Sequence, residues 1–501
     1  ETANKEQDPQ KIAKILAEAL NLDENSVLEK VKKTDSLYEL VKNKLTEDEI
    51  NRLKELNLPG VYLGKETKRY YPQDSLASQI VGFVGGDNAG QYGVEEYYNN
   101  LLAGAEGFQE GEKWPGGYLL RMISGSDQAG SDLILTLDYN IQFKAEELLK
   151  KAKETLDMEA GQIIVGDPYS GKIIALANFP NFNLNEYSKE TNLDIFQNSV
   201  IQKVFEPGSV FKPITMAAAL EAEKITPQTE YVDEGFVKIG GYTIYNFAQK
   251  TWGRKTMTEV LEKSINTGAI FAERQIGHDV FLSFLEKFGL FEPTGIDLAG
   301  EIFSVNSNLK KGYEVNFATA SFGQGVEITP LQLLMAFSAI ANGGKLIKPY
   351  IVENSSLNIA EGDPSPLLKG EGSGKDRYKK VEPRQVVSSK TTSQLTAMLV
   401  SVVENGSAKK TKIPGYYIAG KTGTAQVSWP ALGIEKAGYS DKTVQTFAGF
   451  APALNPRFVI VVKLDNPKAK TAEYSATPIF RDLAEYIINL WQIPPDYEQQ
   501  K

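Results

Sequence analysis

The sequence predicts an α+β fold in which strands from the two ends of one domain form a single sheet covered by helices. A smaller domain precedes it. Strand patterns lie at both ends of residues 131–501, around a helical middle. At roughly 150 residues per domain, a chain of 501 residues forms two or three compact units. We therefore assign residues 1–130 to an N-terminal domain and residues 131–501 to the larger domain.

The N-terminal domain changes character near residue 60. From residue 9 to about 58, apolar residues recur at helical spacing among Lys and Glu, which predicts short surface helices. Residues 60–130 are rich in Gly and Tyr and predict short strands and long loops. Residues 124–130 have the composition of a linker.

The larger domain opens with strand and helix patterns. Residues 133–137 predict a strand, and residues 139–155 predict a helix. The apolar runs 162–165 and 172–177 flank Asp167-Pro168-Tyr169-Ser170-Gly171, which predicts a hairpin.

The rest of the larger domain is predicted to be helical first and to return to strands afterwards. Residues 209–342 are mostly helical in pattern. Residues 354–377, which are polar and rich in Gly, Ser and Pro, predict an exposed, mobile insertion. The remaining predicted elements are strands at residues 416–427, 443–451 and 458–464 and a helix at residues 478–491.

The composition excludes several kinds of site. The 54 Lys and Arg against 64 Asp and Glu give a net charge of −10 without a long basic run, so we expect no nucleic-acid partner. The chain has no cysteine and one histidine, His278, which we expect at an ordinary loop or helix end. A Ser-His-Asp hydrolase or a multi-histidine metal site would depend on that residue. We predict neither a metal nor a cofactor.

Without thiols and with one imidazole, a nucleophile would be Ser, Thr, Lys or a carboxylate, and lysine is the remaining candidate base. In Pro207-Gly208-Ser209-Val210-Phe211-Lys212, Pro-Gly marks a turn, and Lys212 follows Ser209 by one helical turn on the same face. The hydroxyl and amine then lie within hydrogen-bond reach. Because a free lysine has a pKa of about 10.4, burial, a second cation or a helix start must lower the pKa of Lys212.

This pattern is weak by itself. Ser-x-x-Lys recurs at Ser307/Lys310 and Ser407/Lys410. Ser209 also has a plain structural interpretation, as a helix N-cap followed by a solvated lysine.

A second motif, Ser264-Ile265-Asn266, ends a helical pattern over residues 257–263. Its hydroxyl can relay a proton, and its amide can hold a substrate amide. Ser-x-Asn also occurs at Ser304/Asn306 and Ser356/Asn358, so this motif too is weak alone.

The third motif, Lys421-Thr422-Gly423-Thr424, lies in a predicted strand, and Lys-Thr-Gly occurs once in the chain. Lys421 can supply the second cation, and Gly423 lets a substrate approach the backbone. The hydroxyls of Thr422 and Thr424 can hold a carboxylate. A backbone N–H of this strand, paired with that of Ser209, would form an oxyanion hole.

The three motifs follow one another at separations of 55 and 157 residues, which resembles the signature of penicillin-binding proteins and class A β-lactamases. From residue 69 to 495 the chain resembles a class B penicillin-binding protein, with a slight lean to the division or sporulation subgroup. The likeness includes Arg69-Tyr70-Tyr71-Pro72, Phe322-Gly323-Gln324-Gly325 and Gly449-Phe450-Ala451-Pro452-Ala453. The resemblance implies an antiparallel sheet flanked by helices and an elongated N-terminal pedestal domain.

The resemblance also implies a reaction, in which the enzyme attacks the D-Ala-D-Ala end of a peptidoglycan stem peptide and releases D-Ala. The acyl group then passes to an amine on a neighbouring strand. Penicillins would acylate the same serine. The implied site residues are the nucleophile Ser209, its base Lys212, the proton shuttle Ser264, the amide-orienting Asn266, and the substrate-binding Lys421, Thr422, Gly423 and Thr424.

By the same resemblance, the partners are stem peptides, β-lactams and a membrane glycosyltransferase, at the extracytoplasmic face of the bacterial membrane. The chain has no run of 18 apolar residues, and its start lacks the pattern of a signal peptide. The arginine- and glycine-containing segment usual in the family is missing too. We therefore expect a soluble fragment without its anchor, whose pedestal lacks its first strands.

Two alternatives stay open. A β-lactamase or D,D-carboxypeptidase of the same fold shares all three motifs, although no further carboxylate is marked as a deacylating base. The N-terminal 130 residues also argue against a compact β-lactamase. The other alternative is a β-lactam-binding sensor or an inactive scaffold, and the intact Ser209, Lys212 and Lys421 argue against a scaffold that has lost catalysis.

Overall fold

A computed structural model gives the conformation of most of the chain. The described residues are 8–33, 36, 39–43, 45–64, 68–86, 88–103, 112–114, 117–119, 130–353 and 382–498. The predicted insertion at residues 354–377 lies outside them, as does the predicted linker except for residue 130. Among the residues described, no helix combines the length and the apolar character needed to cross a bilayer.

The helices and strands are numbered in chain order over the described residues. Helices α1–α17 are Pro9–Leu20, Glu24–Val31, Glu47–Leu56, Ser78–Val81, Gly93–Tyr97, Asn99–Ala103, Tyr139–Leu156, Ser199–Gln202, Lys212–Glu221, Met257–Lys263, Asn266–Ile276, His278–Lys287, Ser307–Lys310, Glu314–Ala320, Pro330–Ala341, Ser389–Glu404 and Ala476–Leu490. Strands β1–β15 are Phe83–Val84, Gly90–Gln91, Glu112–Trp114, Gly117–Leu119, Ala160–Gly166, Ile173–Phe179, Glu230–Asp233, Phe236–Ile239, Tyr242–Tyr245, Gly253–Thr256, Lys345–Leu346, Arg384–Gln385, Ala419–Ser428, Tyr439–Ala451 and Phe458–Asp465. Short 3₁₀ helices are Leu184–Lys189, Leu193–Phe196, Gly208–Phe211, Phe247–Gln249, Lys409–Thr411, Pro430–Leu432 and Ala472–Tyr474.

The central sheet joins strands from two distant parts of the chain, as predicted. Its five strands are antiparallel in the order β13-β14-β15-β5-β6. Strands β5 and β15 are buried on both faces, because helices cover both sides of the sheet. Helices α7 and α17 pack against each other and the sheet, and α15 packs against β5, β14 and β15. Strand β13 lies at the edge of the sheet.

Local sequence signals explain several element boundaries. Asp138 caps α7, because its side chain accepts hydrogen bonds from the backbone N–H groups of Asn140 and Ile141. In the β5–β6 hairpin, Asp167 accepts from the backbone of Tyr169 and the hydroxyl of Ser170. Both the helix and the hairpin were predicted, and the structure confirms them.

The chain divides into two compact units, Glu1–Tyr70 and Tyr71–Lys501. The first has a core of its own, formed by α1–α3 around residues such as Ile12, Leu16 and Leu53. In the second, residues such as Ile80 and Val94 belong to the large core that also holds the central sheet. The boundary between these two compact units, after residue 70, therefore differs from the domain boundary predicted after residue 130, which stays a prediction.

Three predicted regions differ from the structure. Residues 133–137 form one isolated bridge and no longer strand ladder. The bridge joins Leu135 to Val352, between backbone hydrogen bonds from Thr136 to Ile351 and from Glu353 to Ile134, and the backbone N–H of Asp138 then donates to Ile174. The second difference lies within residues 209–342, where two antiparallel strand pairs, β7 with β10 and β8 with β9, interrupt the predicted helices. The third lies within residues 60–130, where strands and loops were predicted and the helices α4–α6 also form, each with at most five residues and so too short to show a helical period.

Candidate active site

Ser209 lies in the 3₁₀ turn Gly208–Phe211, and α9 begins at Lys212. The predicted one-turn spacing holds, with Lys212 Nζ 3.0 Å from Ser209 Oγ. Gly208 has φ +61°, and a Cβ there would lie 2.9 Å from Cβ of Ala425 on β13. Glycine at this position therefore lets the turn that carries Ser209 approach the edge strand closely.

Ser264 and Asn266 meet the same amine. Ser264 ends α10 in the left-handed conformation with φ +57°, and α11 begins at Asn266. Lys212 Nζ lies 2.7 Å from the backbone oxygen of Ser264, 3.2 Å from Ser264 Oγ and 2.8 Å from Asn266 Oδ1. This left-handed residue is the C-cap of α10, as Asn21, Asn57 and Asp157 are of other helices.

Lys421 on β13 completes a chain of polar groups. Its Nζ lies 3.0 Å from Ser264 Oγ, 3.1 Å from the backbone oxygen of Thr422 and 3.4 Å from Thr422 Oγ1. Ser264 thus connects the two lysines. The structure brings Ser209, Lys212, Ser264, Asn266 and Lys421 together within direct hydrogen-bond contacts.

Both lysine side chains are completely buried. Burial, followed by the positive charge of Lys421, holds the pKa of Lys212 well below its ordinary value. Burial lowers the pKa of Lys421 to about 7. Because removing an ammonium from water disfavours its charged form, Lys212 is drawn to the neutral state at neutral pH, whereas Lys421 is still partly protonated near pH 7.

The three residues after Lys421 take different positions on β13. A Cβ on Gly423 would lie 2.8 Å from the backbone oxygen of Pro207 and 3.0 Å from Cβ of Val210. Thr422 Oγ1 lies 3.2 Å from the hydroxyl of Ser407. Thr424 Oγ1 accepts a hydrogen bond from the backbone of Ala472 at 3.1 Å. Glycine at 423 is therefore required for the packing of β13 against the Ser209 turn.

Asp233 and Asn246 form hydrogen bonds to the N-terminus of α11, where Asn266 lies, and neither residue was predicted from the sequence. Asn246 Oδ1 accepts from the backbone N–H groups of Asn266 and Thr267 at 3.0 and 3.1 Å, so it caps a helix that has no cap from its own N-cap side chain. The buried Asp233 accepts from Asn246 Nδ2 and from the hydroxyl of Thr267. The overlooked signal was Gly240-Gly241, a two-residue hairpin turn in which both residues have positive φ.

Among the residues that the structure describes, the repeated copies of the motifs form no second site of this kind. Ser307 and Lys310 lie on the short helix α13, where Lys310 Nζ is 5.0 Å from the ring centre of Phe291. Ser407 reaches Thr422, but Lys410 Nζ lies 3.5 Å from the ring centre of Tyr474. Ser304 and Asn306 bond to each other and to Glu327, whereas Ser356/Asn358 falls outside the described residues.

His278 lies at the start of α12, away from this chain of contacts. Its Nδ1 lies 2.7 Å from Oε1 of the buried Glu273, and its ring stacks on Phe317 at 4.3 Å. The imidazole therefore has the ordinary helix-end role that was expected. Within the described ranges, no three His, Cys, Asp or Glu side chains come together as ligands for a metal ion.

Comparison with protein families gives two matches. Residues 161–485 match the penicillin-binding protein transpeptidase domain. Residues 1–135 match the penicillin-binding protein dimerisation domain. The first match contains every predicted site residue.

Comparison with individual proteins agrees with these matches. The chain is 32% identical over 491 residues to stage V sporulation protein D of Bacillus subtilis, which covers 94% of this chain and 71% of that protein. It is 29% identical to the peptidoglycan D,D-transpeptidase FtsI of Escherichia coli, over 96% of this chain and 78% of that protein. A crystal structure of penicillin-binding protein 3 from Mycobacterium tuberculosis with ampicillin superimposes with a TM-score of 0.72 at 28% identity, covering 86% of this chain and 91% of that one.

Proposed function

The chain belongs to the class B penicillin-binding proteins and is a peptidoglycan D,D-transpeptidase, and from this premise we propose that Ser209 is its acylated nucleophile. The observation that carries the proposal is the contact between the hydroxyl of Ser209 and the buried amine of Lys212 at 3.0 Å. A serine hydroxyl needs such a base within hydrogen-bond reach to become a nucleophile at neutral pH.

Hydrogen-bond accounting supports Lys212 as that base. A neutral lysine has two N–H groups and one lone pair. Two of its neighbours, the backbone oxygen of Ser264 at 2.7 Å and Asn266 Oδ1 at 2.8 Å, can only accept hydrogen bonds. If these two take the N–H groups, the lone pair remains for the O–H of Ser209. The lowered pKa of Lys212 favours this neutral state.

Ser264 and Lys421 form the proposed route for the returning proton. Ser264 Oγ lies 3.2 Å from Lys212 Nζ and 3.0 Å from Lys421 Nζ. A proton taken up by Lys212 can pass through the Ser264 hydroxyl to the leaving amine. Asn266 holds Lys212 through its oxygen, and its Nδ2 carries a second N–H, beside the one bonded to Tyr245, for the acyl amide of the substrate.

Strand β13 is the proposed binding surface for the end of the donor peptide. It is the outer strand of the central sheet, so one backbone edge can pair with an extended peptide. Thr422 and Thr424 contribute hydroxyls, and Lys421 contributes an ammonium for a terminal carboxylate. Gly423 brings this strand against the turn that carries Ser209.

The reaction then proceeds in two acyl transfers. Ser209 Oγ bonds to the carbonyl carbon of the penultimate D-Ala as its proton passes to Lys212. The D-Ala-D-Ala peptide bond breaks, and the released D-Ala amine takes that proton. An amine of a second stem peptide attacks the ester, and Ser209 regains a proton as the ester bond breaks. A β-lactam follows the first transfer, but its leaving nitrogen stays attached to the acyl group.

The setting is part of the proposal. The substrate is a cell-wall polymer, so the enzyme would act at the extracytoplasmic face of the bacterial membrane, anchored there and beside a membrane glycosyltransferase that supplies glycan strands. We also retain the division into a pedestal over residues 1–130 and a catalytic domain over residues 131–501. The match of residues 1–135 to a dimerisation domain supports this division.

The test supplies a stem-peptide thioester as donor and a free amine as acceptor. We expect a peptide product joined to the acceptor, and we expect none from Ser209→Ala. Hydrolysed donor without joined product would indicate a carboxypeptidase. A stable acyl-enzyme that no acceptor releases would indicate a sensor. Label that is lost rapidly after reaction with a fluorescent penicillin would indicate a β-lactamase.

A further inference from the structure

Ser407 touches the carboxylate-binding strand from outside the three motifs. Its hydroxyl lies 3.2 Å from Thr422 Oγ1. It belongs to the turn after α16, whereas Thr422 lies on β13. In the sequence, Ser407 begins a repeated Ser-x-x-Lys pattern, and the proposed mechanism does not use it.

The backbone fixes Ser407 in place. Its N–H donates to the backbone oxygen of Glu262 on α10 at 3.1 Å. The preceding Gly406 packs so closely on that helix that an added Cβ would lie 2.7 Å from the same oxygen. Helix α10 ends at the residue before Ser264, so Ser407 connects the helix that presents Ser264 with the strand that presents Lys421.

The Thr422 hydroxyl has a limited number of partners. It can accept two hydrogen bonds and donate one. Within the described residues, Thr422 Oγ1 has two side-chain neighbours at hydrogen-bond distance, Lys421 Nζ at 3.4 Å and Ser407 Oγ at 3.2 Å. The Lys421 amine donates. If Ser407 also donates, both acceptor positions of Thr422 are filled, and its proton has to point to another group.

We propose that Ser407 is a positioning residue, whose hydroxyl donates to Thr422 Oγ1 and so directs the Thr422 proton to the terminal carboxylate of a peptide or β-lactam. This inference rests on the proposed function and adds a hydroxyl to its carboxylate-binding site. Ser407 does not touch the ligand. It acts through Thr422, and the loss of one neutral hydrogen bond predicts about a 3- to 10-fold effect.

The test compares a penicillin with its methyl ester in stopped-flow acylation. For Ser407→Ala we expect the second-order rate constant for the free acid to fall about 3- to 10-fold through weaker binding, with the limiting acylation rate unchanged. The rate constant for the ester should change little, because its oxygens carry no charge. Ser407→Thr, which keeps the hydroxyl, should restore the ratio of acid to ester.

Ser401→Ala is the matched control, since the Ser401 hydroxyl also joins α16 to α10, through Glu262, and its hydrogen bonds within the described residues go to Glu262 and Asn405 rather than to β13. It should leave both rate constants unchanged.

Equal losses for acid and ester in Ser407→Ala, or no loss, would overturn the proposal. If Ser407→Ala fails to fold, Ser407→Cys keeps the volume and weakens the donor, and the same acid-selective loss is required. Absence of labelling at Ser209 in the unaltered chain would overturn the proposed function, and this proposal with it.

Discussion

The amines of Lys212 and Lys421 are both buried, and the positive charge of Lys421 lowers the pKa of Lys212. Two buried cations side by side would repel each other at low effective dielectric. The arrangement therefore favours a neutral Lys212, which the proposed acylation requires. A lysine can replace histidine as the base here because its surroundings lower its pKa.

This pair predicts a pH effect. Acylation requires neutral Lys212, so its rate should rise with pH through the pKa of that residue. In Lys421→Met the neighbouring positive charge is gone, which raises the pKa of Lys212 and moves the acidic limb of the profile to higher pH. Single-turnover acylation rates at a series of pH values measure the shift. Lys442→Met, which removes a lysine paired with Glu159 at the surface, should leave the limb in place. A limb that stays unchanged in Lys421→Met would contradict this coupling.

The residues of the three motifs could be predicted from the sequence, because the reactive side chains of each motif lie within four consecutive residues or fewer. Asp233, Asn246 and Ser407 could not. Each reaches the site through a contact across the fold, such as the hydrogen bonds from Asn246 Oδ1 to the start of α11. Nothing in the sequence near these residues indicates which distant group they will meet.

At the scale of elements, β13 lies so close to the turn that carries Ser209 that adding one methyl group at residue 423 should slow acylation. In Gly423→Ala, the new Cβ would meet the backbone of Pro207 and the side chain of Val210, so the strand has to move outward. A shift of this kind misaligns the reacting groups, and acylation should fall by about 10- to 100-fold. Fluorescent penicillin labelling measures the rate, and thermal unfolding checks the fold. Gly86→Ala is the control, since no atom of the described part of the chain lies within 4 Å of its added Cβ. Equal rates in the two variants would refute the steric argument.

A second prediction at the scale of elements concerns Asn246, which follows β9 and caps α11. Asn246→Ala removes the cap of α11 and a partner of the buried Asp233, so the free energy of unfolding should fall by about 1–3 kcal/mol. Acylation should fall with it, since Asn266 begins that helix. Urea denaturation and labelling rates measure the two effects. Asn192→Ala removes an asparagine that caps the 3₁₀ helix Leu193–Phe196, and it should leave acylation intact. Unchanged acylation in Asn246→Ala would contradict the claim that the cap formed by Asn246 is needed to position Asn266 in the active site.

Most elements around these contacts follow from local patterns, and the exceptions have physical reasons. Helix α7 and the β5–β6 hairpin carry their own caps and turn residues, so the sequence predicts them closely. Strands β7–β10 are only four residues each and pair in twos, which gives a weak period-two signal inside a helical stretch. Residues 133–137 have the composition of a strand, but they pair with residues 351–353 through a single bridge, which is too short to form a ladder.

At the scale of the whole molecule, the separate hydrophobic cores around Leu16 and around the central sheet predict separable effects. Leu16 is buried in the core of the unit Glu1–Tyr70. Leu16→Ala should destabilise that unit by about 2–5 kcal/mol and leave penicillin acylation unchanged. Leu483→Ala, in the core that also holds the central sheet, should lower the temperature at which labelling is lost. Calorimetry with labelling at each temperature tests both. Loss of acylation in Leu16→Ala at 25 °C would show that the cores are not independent.

The central claim is that residues 209, 212, 264 and 421, which are far apart in sequence, act as one acylating site. The most direct measurement is peptide mapping by mass spectrometry after reaction with a penicillin. We predict one adduct per chain, on the peptide that contains Ser209, and none in Ser209→Ala. An adduct on Ser307, Ser407 or any other residue, or no adduct in the unaltered chain, would contradict the account.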